Sequence, residues 1–143
     1  MSTLNLGDSL IMNSDIVIGG GETKTGATFN GKPVYCKAGF VDNIVKTTDN
    51  MRDTWSVIIV ENADVCLFVG GYWTNLDGDY YVGNRIAIGF SSMSSDKLSQ
   101  YAGGYAINTT THQISVNINV NASSWGCTKK SLTYYAFYTK TTD

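Results

Sequence analysis

One proline, one histidine and three cysteines in 143 residues leave little room for several kinds of chemistry. A lone His112 offers a serine or cysteine nucleophile no other imidazole base, and the chain has no G-x-S-x-G elbow. Cys36, Cys66 and Cys127 are odd in number and widely spaced, without a C-x-x-C pair. That pattern argues against both a disulfide framework and a structural zinc site, and fits free thiols in a reducing cytosol. Glutamate is scarce, with only Glu22 and Glu61, and most aspartates sit at turn positions where the side chain bonds its own backbone. No pair of carboxylates therefore stands out for glycoside hydrolysis. Charged residues make up 15% of the chain, and a net charge of -2 with scattered basic residues leaves no footprint for nucleic acid. No apolar run is long enough to insert across a membrane. Met1-Ser2-Thr3-Leu4-Asn5 has neither the basic nor the apolar region of a secretory signal. The expectation is one soluble domain that is not an enzyme, with no catalytic residues, no metal and no cofactor.

What the chain does have is strand signal. Gln113 to Asn121 alternates apolar and polar residues without a break, so Ile114, Val116, Ile118 and Val120 are expected inward, and Ser115, Asn117 and Asn119 outward. Trp55 to Glu61 and Val65 to Val69 are nearly continuous β-branched or aromatic runs. Split by Asn62-Ala63-Asp64, they read as a central hairpin covered on both faces. Arg85 to Phe90 reads as a further short strand. Ser131 to Lys140 carries Leu132, Tyr134, Ala136 and Tyr138 on one side, with Tyr135 and Phe137 on the other. Asn30-Gly31 and Asp77-Gly78 are hairpin-turn signals, and Pro33 belongs at a sheet edge or at the start of its strand. Gly19-Gly20-Gly21 and Gly103-Gly104 mark loops or bulges. Helix signal is confined to a turn or two near Asp96 to Tyr101. The fold class predicted is all-β: a compact antiparallel β-sandwich, jelly-roll-like, with little or no helix.

Tests of individual motifs mostly end in turns. Gly19 to Gly26 (GGGETKTG) lacks the spacing of a phosphate loop and runs into a hairpin rather than a helix, so it reads as a flexible turn. Asn75-Leu76-Asp77-Gly78-Asp79 gathers oxygen ligands around a glycine but breaks the calcium-loop pattern. Asn108-Thr109-Thr110 and Asn121-Ala122-Ser123 match the glycosylation pattern and read as polar turns. The densest mixture of aromatic and polar side chains is Tyr72, Trp73, Asn75, Asp77, Asp79, Tyr80 and Tyr81, with Arg85 nearby. Aromatic faces stack on sugar C–H faces while amides and carboxylates bond hydroxyls, so these eight residues form the candidate carbohydrate or receptor site. Gly70-Gly71 before it and Asp77-Gly78 within it would let the loop project. The competing reading puts Tyr72, Trp73 and Tyr81 in the core or at a subunit interface. Ser123-Ser124-Trp125-Gly126 is a second aromatic candidate.

Thr25-Gly26-Ala27-Thr28-Phe29-Asn30-Gly31-Lys32-Pro33-Val34-Tyr35-Cys36-Lys37 resembles a segment that opens the distal β-rich domain of tailed-bacteriophage tail-fibre and receptor-binding proteins. Phe29 stands where that family often has Trp, and Cys36 where a basic residue is common. The terminal Tyr138-Thr139-Lys140-Thr141-Thr142-Asp143 is similar to the end of many such fibre tips. The resemblance implies a virion protein, made in the bacterial host cytoplasm and placed at the tail-fibre tip as a homotrimer. It implies a receptor-binding, host-adhesion role toward a bacterial surface polysaccharide or surface protein. The alternative is a structural trimerisation end-cap of a fibre or baseplate that touches no receptor. On this reading residues 1–25 are a lead-in segment and 26–143 the β-sandwich tip domain. Surplus aromatics on both faces of the last strand agree with subunit contact.

Overall fold

The structure, a computed structural model, describes residues 21–49, 52–78, 82–89, 91–92, 101–121 and 126–143. They form β1 (Gly21–Phe29), β2 (Lys32–Val45), β3 (Thr47–Asp49), β4 (Arg52–Val60), β5 (Ala63–Asn75), β6 (Arg85–Ala87), β7 (Ser91–Ser92), β8 (Tyr101–Asn108), β9 (Gln113–Asn121) and β10 (Lys129–Lys140). None of the described residues is helical. The strands make two five-stranded antiparallel sheets, ordered β1-β2-β10-β5-β6 and β3-β4-β9-β8-β7. The all-β fold expected from the alternation is therefore present. This strand order does not establish the jelly-roll connectivity. Of the helical turn expected near Asp96 to Tyr101, residues 96–100 lie outside the described residues, and Tyr101 opens β8.

Both sheets bury one face. Ile114, Val116, Ile118 and Val120 of β9 all lie in the core, as their alternation requires. Across from them Leu132, Tyr134, Ala136 and Tyr138 of β10 are buried, together with Trp55, Val69 and Trp73. The Asn30-Gly31 turn closes the β1–β2 hairpin with both residues at positive φ, 52° and 78°. Pro33, the second residue of β2, lies beyond the last β10 pairing, Tyr138 with Tyr35, so its missing N–H breaks no bond of that ladder.

Several expectations are corrected. Trp55–Glu61 and Val65–Val69 do not form a hairpin: β4 pairs with β9 in one sheet, and β5 with β10 in the other. Glu61-Asn62 is a corner between sheets. It is held where Thr141 donates its amide and its hydroxyl to Asn62, and Ala63 N–H bonds His112 O at 2.9 Å. Gly21 to Gly26 is not a flexible turn but part of β1, pairing Gly21 with Ala38 and Lys24 with Tyr35, with a bulge before Thr28. Among the described residues β1 runs across positions 25 and 26. Gly103-Gly104 lies inside β8, paired with Ile118 and Asn117. Gly70-Gly71 lies inside β5 and is no approach to a projecting loop. The strand expected over Arg85 to Phe90 is only three residues long.

Candidate functional site

The residues chosen from the sequence fall into three groups. Tyr72 and Arg85 come together on the outer face of the first sheet, where the guanidinium carbon sits 4.7 Å from the Tyr72 ring centre. The β5–β6 pairing explains this, since Tyr72 opposes Ala87 and Thr74 opposes Arg85 on one face. Trp73, Asn75 and Asp77 do not join them. Trp73 is 1% exposed, facing the core, and Asn75 is buried with its side-chain oxygen bonded by Lys130 Nζ. Asp79, Tyr80 and Tyr81 lie outside the described residues, as does Trp125 of the second candidate.

Asp77 works as a brace between chain segments. Its carboxylate accepts the Thr128 amide at 2.7 Å, the Lys129 amide at 3.0 Å and the Thr128 hydroxyl. Burial by itself raises this carboxyl, and the hydrogen bonds from Thr128 and Lys129 outweigh it, holding it at about 2. Because the folded value lies below the ordinary 3.8, its stabilising effect is present above that pH and fades as pH falls toward 2. Asp77→Ala leaves two amides without this acceptor. It is expected to cost about 2–3 kcal/mol, read as a lower urea midpoint at pH 7 and a smaller difference from the parent at pH 2.5.

The sequence-chosen list omitted most of the face that Tyr72 and Arg85 share. Register puts Phe40, Thr133 and Tyr72 in one row across β2, β10 and β5; Ala38, Tyr135 and Gly70 in the next; and Cys36, Phe137 and Phe68 in the third. Phe40, Phe68 and Tyr135 are 53%, 46% and 39% exposed. Their rings are organised: Phe68 lies 5.9 Å from Tyr135, Tyr135 lies 6.1 Å from Phe137, and Tyr105 of the second sheet meets Phe68 edge-on at 6.5 Å. Glycine at position 70 makes room for this, because a Cβ there would stand 2.7 Å from the Tyr135 ring. The alternation of β10 had already separated Tyr135 and Phe137 from the core side. No periodic signal in Val65 to Val69 assigned Phe68 a face.

Other side chains raised by the sequence have structural roles. His112 stands at the β8–β9 turn with φ 59°, its amide bonded to Asn108 O at 2.7 Å. The Asn108 side chain accepts the amides of Thr110 and Thr111 at 2.9 and 3.1 Å, so this stretch is the polar turn expected. The three cysteines are free, and burial pushes each thiol up. No family model, no curated protein and no solved structure matches the chain.

Proposed function

We propose that this domain is an adhesion module: the distal tip of a phage fibre, recognising a bacterial surface glycan. The observation that carries the reading is the aromatic face formed by exposed Phe40, Phe68 and Tyr135 with half-buried Tyr72 on one sheet, and Arg85 at its margin. Flat rings with a few polar groups beside them suit the alternating apolar faces and hydroxyls of a saccharide. The motifs at Thr25–Lys37 and Tyr138–Asp143 supply the phage assignment. A single such site is weak, so a homotrimer would raise the effective affinity through avidity.

The test is adsorption of the purified domain to host cells and to their isolated polysaccharide. Tyr135→Ala and Phe68→Ala are each expected to reduce binding at least tenfold, while stability changes by about 1 kcal/mol or less. Unchanged binding by both variants would overturn the assignment of the face. The second reading, a trimerisation end-cap, is favoured by the same contiguous apolar surface, which monomers seldom leave uncovered. It makes a different prediction: the two variants would dissociate the oligomer in light scattering, with no receptor binding to lose.

A further inference from the structure

Lys130 is a lysine where a solvated one would be expected, yet it is 1% exposed. Its neighbour Lys129 is exposed, whereas Lys130 lies two residues before Leu132 in β10 and so shares its buried face. Lys130 pairs directly with Asn75 across the β10–β5 ladder, and Nζ donates to Asn75 Oδ1. The hydrogen bond holds Nζ against the Asn75 side-chain amide, so the amine and the amide that would react are already neighbours. The surroundings keep both groups still and dry. Asn75 is fixed through its own backbone, N–H to Asn84 O at 3.0 Å and O to Gly83 N–H at 2.8 Å. The ring of fully buried Trp55 lies 4.3 Å from Nζ, itself anchored by an indole bond to Thr128 O at 3.2 Å. Cys127 Sγ stands 3.7 Å from Nζ on another side.

We infer that Lys130 and Asn75 are the partners of a self-catalysed isopeptide crosslink between β10 and β5. The amine attacks Asn75 Cγ, a Cγ–Nζ bond forms, and the Cγ–Nδ2 bond breaks. Nδ2 leaves as ammonia with the proton that Nζ surrenders, so no oxidant, reductant or co-substrate enters the balance. The nucleophile must be the neutral amine. Burial pulls the Lys130 ammonium toward that form, against the opposing pull of Cys127, Asp77 and Asp53. Burial also keeps the Cys127 thiol protonated, and its sulfur is within reach of Nζ to exchange a proton with it. The bond forms irrespective of what the outer face binds.

Mass spectrometry of the purified full chain decides it. The expected intact mass is one ammonia below the sequence mass, and a digest yields a branched peptide joining Lys130 to Asn75. Lys130→Arg and Asn75→Ala should each remain at full sequence mass. Asn75→Asp should lose water instead and arrive at the same mass as the crosslinked parent. Succinimide formation at Asn30-Gly31 also expels ammonia, but it gives no branched peptide and survives Lys130→Arg. An intact mass without the loss would overturn the inference, and so would a loss without the branched peptide. The peptide is read on the parent protein alone, so a variant that fails to fold does not rescue the idea.

Discussion

Trp73→Ala is expected to lower the stability of the domain by about 3–5 kcal/mol, the range for removing a large aromatic from a packed core. The indole is 1% exposed in a cluster with Leu132, Trp55 and Ile118. Its removal deletes both burial and the dispersion contacts of its neighbours, which close-packed strands cannot fully recover. Thermal unfolding should show a fall of roughly 10–15 °C. Glycan adsorption measured below the new transition should be unchanged for the fraction that remains folded. A stable Trp73→Ala protein that no longer adsorbs would instead place the indole in the receptor site and refute its assignment to the core.

Gly71→Ala should be comparably severe, for a reason unrelated to cavity formation. Gly71 has φ 125°, and a Cβ there would stand 2.0 Å from the backbone oxygen of Thr133 and 2.8 Å from Tyr134 Cα. Neither obstacle is a side chain that can swing away. The strained dihedral and the overpacking together should cost about 3–5 kcal/mol, with β5 pushed off β10. Gly104→Ala is the matched control. It also sits in a strand, but its added Cβ meets nothing within 4 Å and its φ is ordinary. It should be neutral, or stabilising by up to about 1 kcal/mol. Urea denaturation of the two variants side by side checks the contrast, and equal midpoints would refute the close approach at Gly71.

Where the sequence was legible, a strict period made it so. β9 alternates without interruption, and each of its apolar residues is buried; the two faces of β10 likewise separate as the alternation of Tyr134, Tyr135, Ala136 and Phe137 requires. Continuous apolar runs carry no such phase. Trp55–Val60 and Val65–Val69 could not say whether they paired with each other, and the bulge between Ile58 and Val60 lets both Ile59 and Val60 turn inward while Ile58 stays exposed. The candidate site failed by the same logic that succeeded in β9. Tyr72, Trp73, Thr74 and Asn75 are consecutive in a strand, so Tyr72 and Trp73 cannot share a face. The aromatic-polar mixture therefore divided into an outer half with Arg85 and an inner half with Lys130. Glycine pairs misled because they read as loops, whereas Gly70 and Gly71 sit where other backbone or rings press close. Lys130 falls in phase with Leu132, Tyr134, Ala136 and Tyr138, but a lysine following Lys129 looks like part of a solvated pair, and residue type masked the period.

The position of β10 has a consequence for biosynthesis. It is the last of the described strands to leave the ribosome, yet it lies at the middle of its sheet, paired on one side with β2 and on the other with β5. Until Lys129 to Lys140 has emerged, β2 and β5 have no strand between them, and each offers an open edge to any other extended chain nearby. The nascent polypeptide can form the β1–β2 and β8–β9 hairpins, which are local, but not the first sheet as a whole. Vulnerability to misassociation is thus concentrated in the interval of translation before β10 appears, and its arrival converts two exposed edges into one closed ladder.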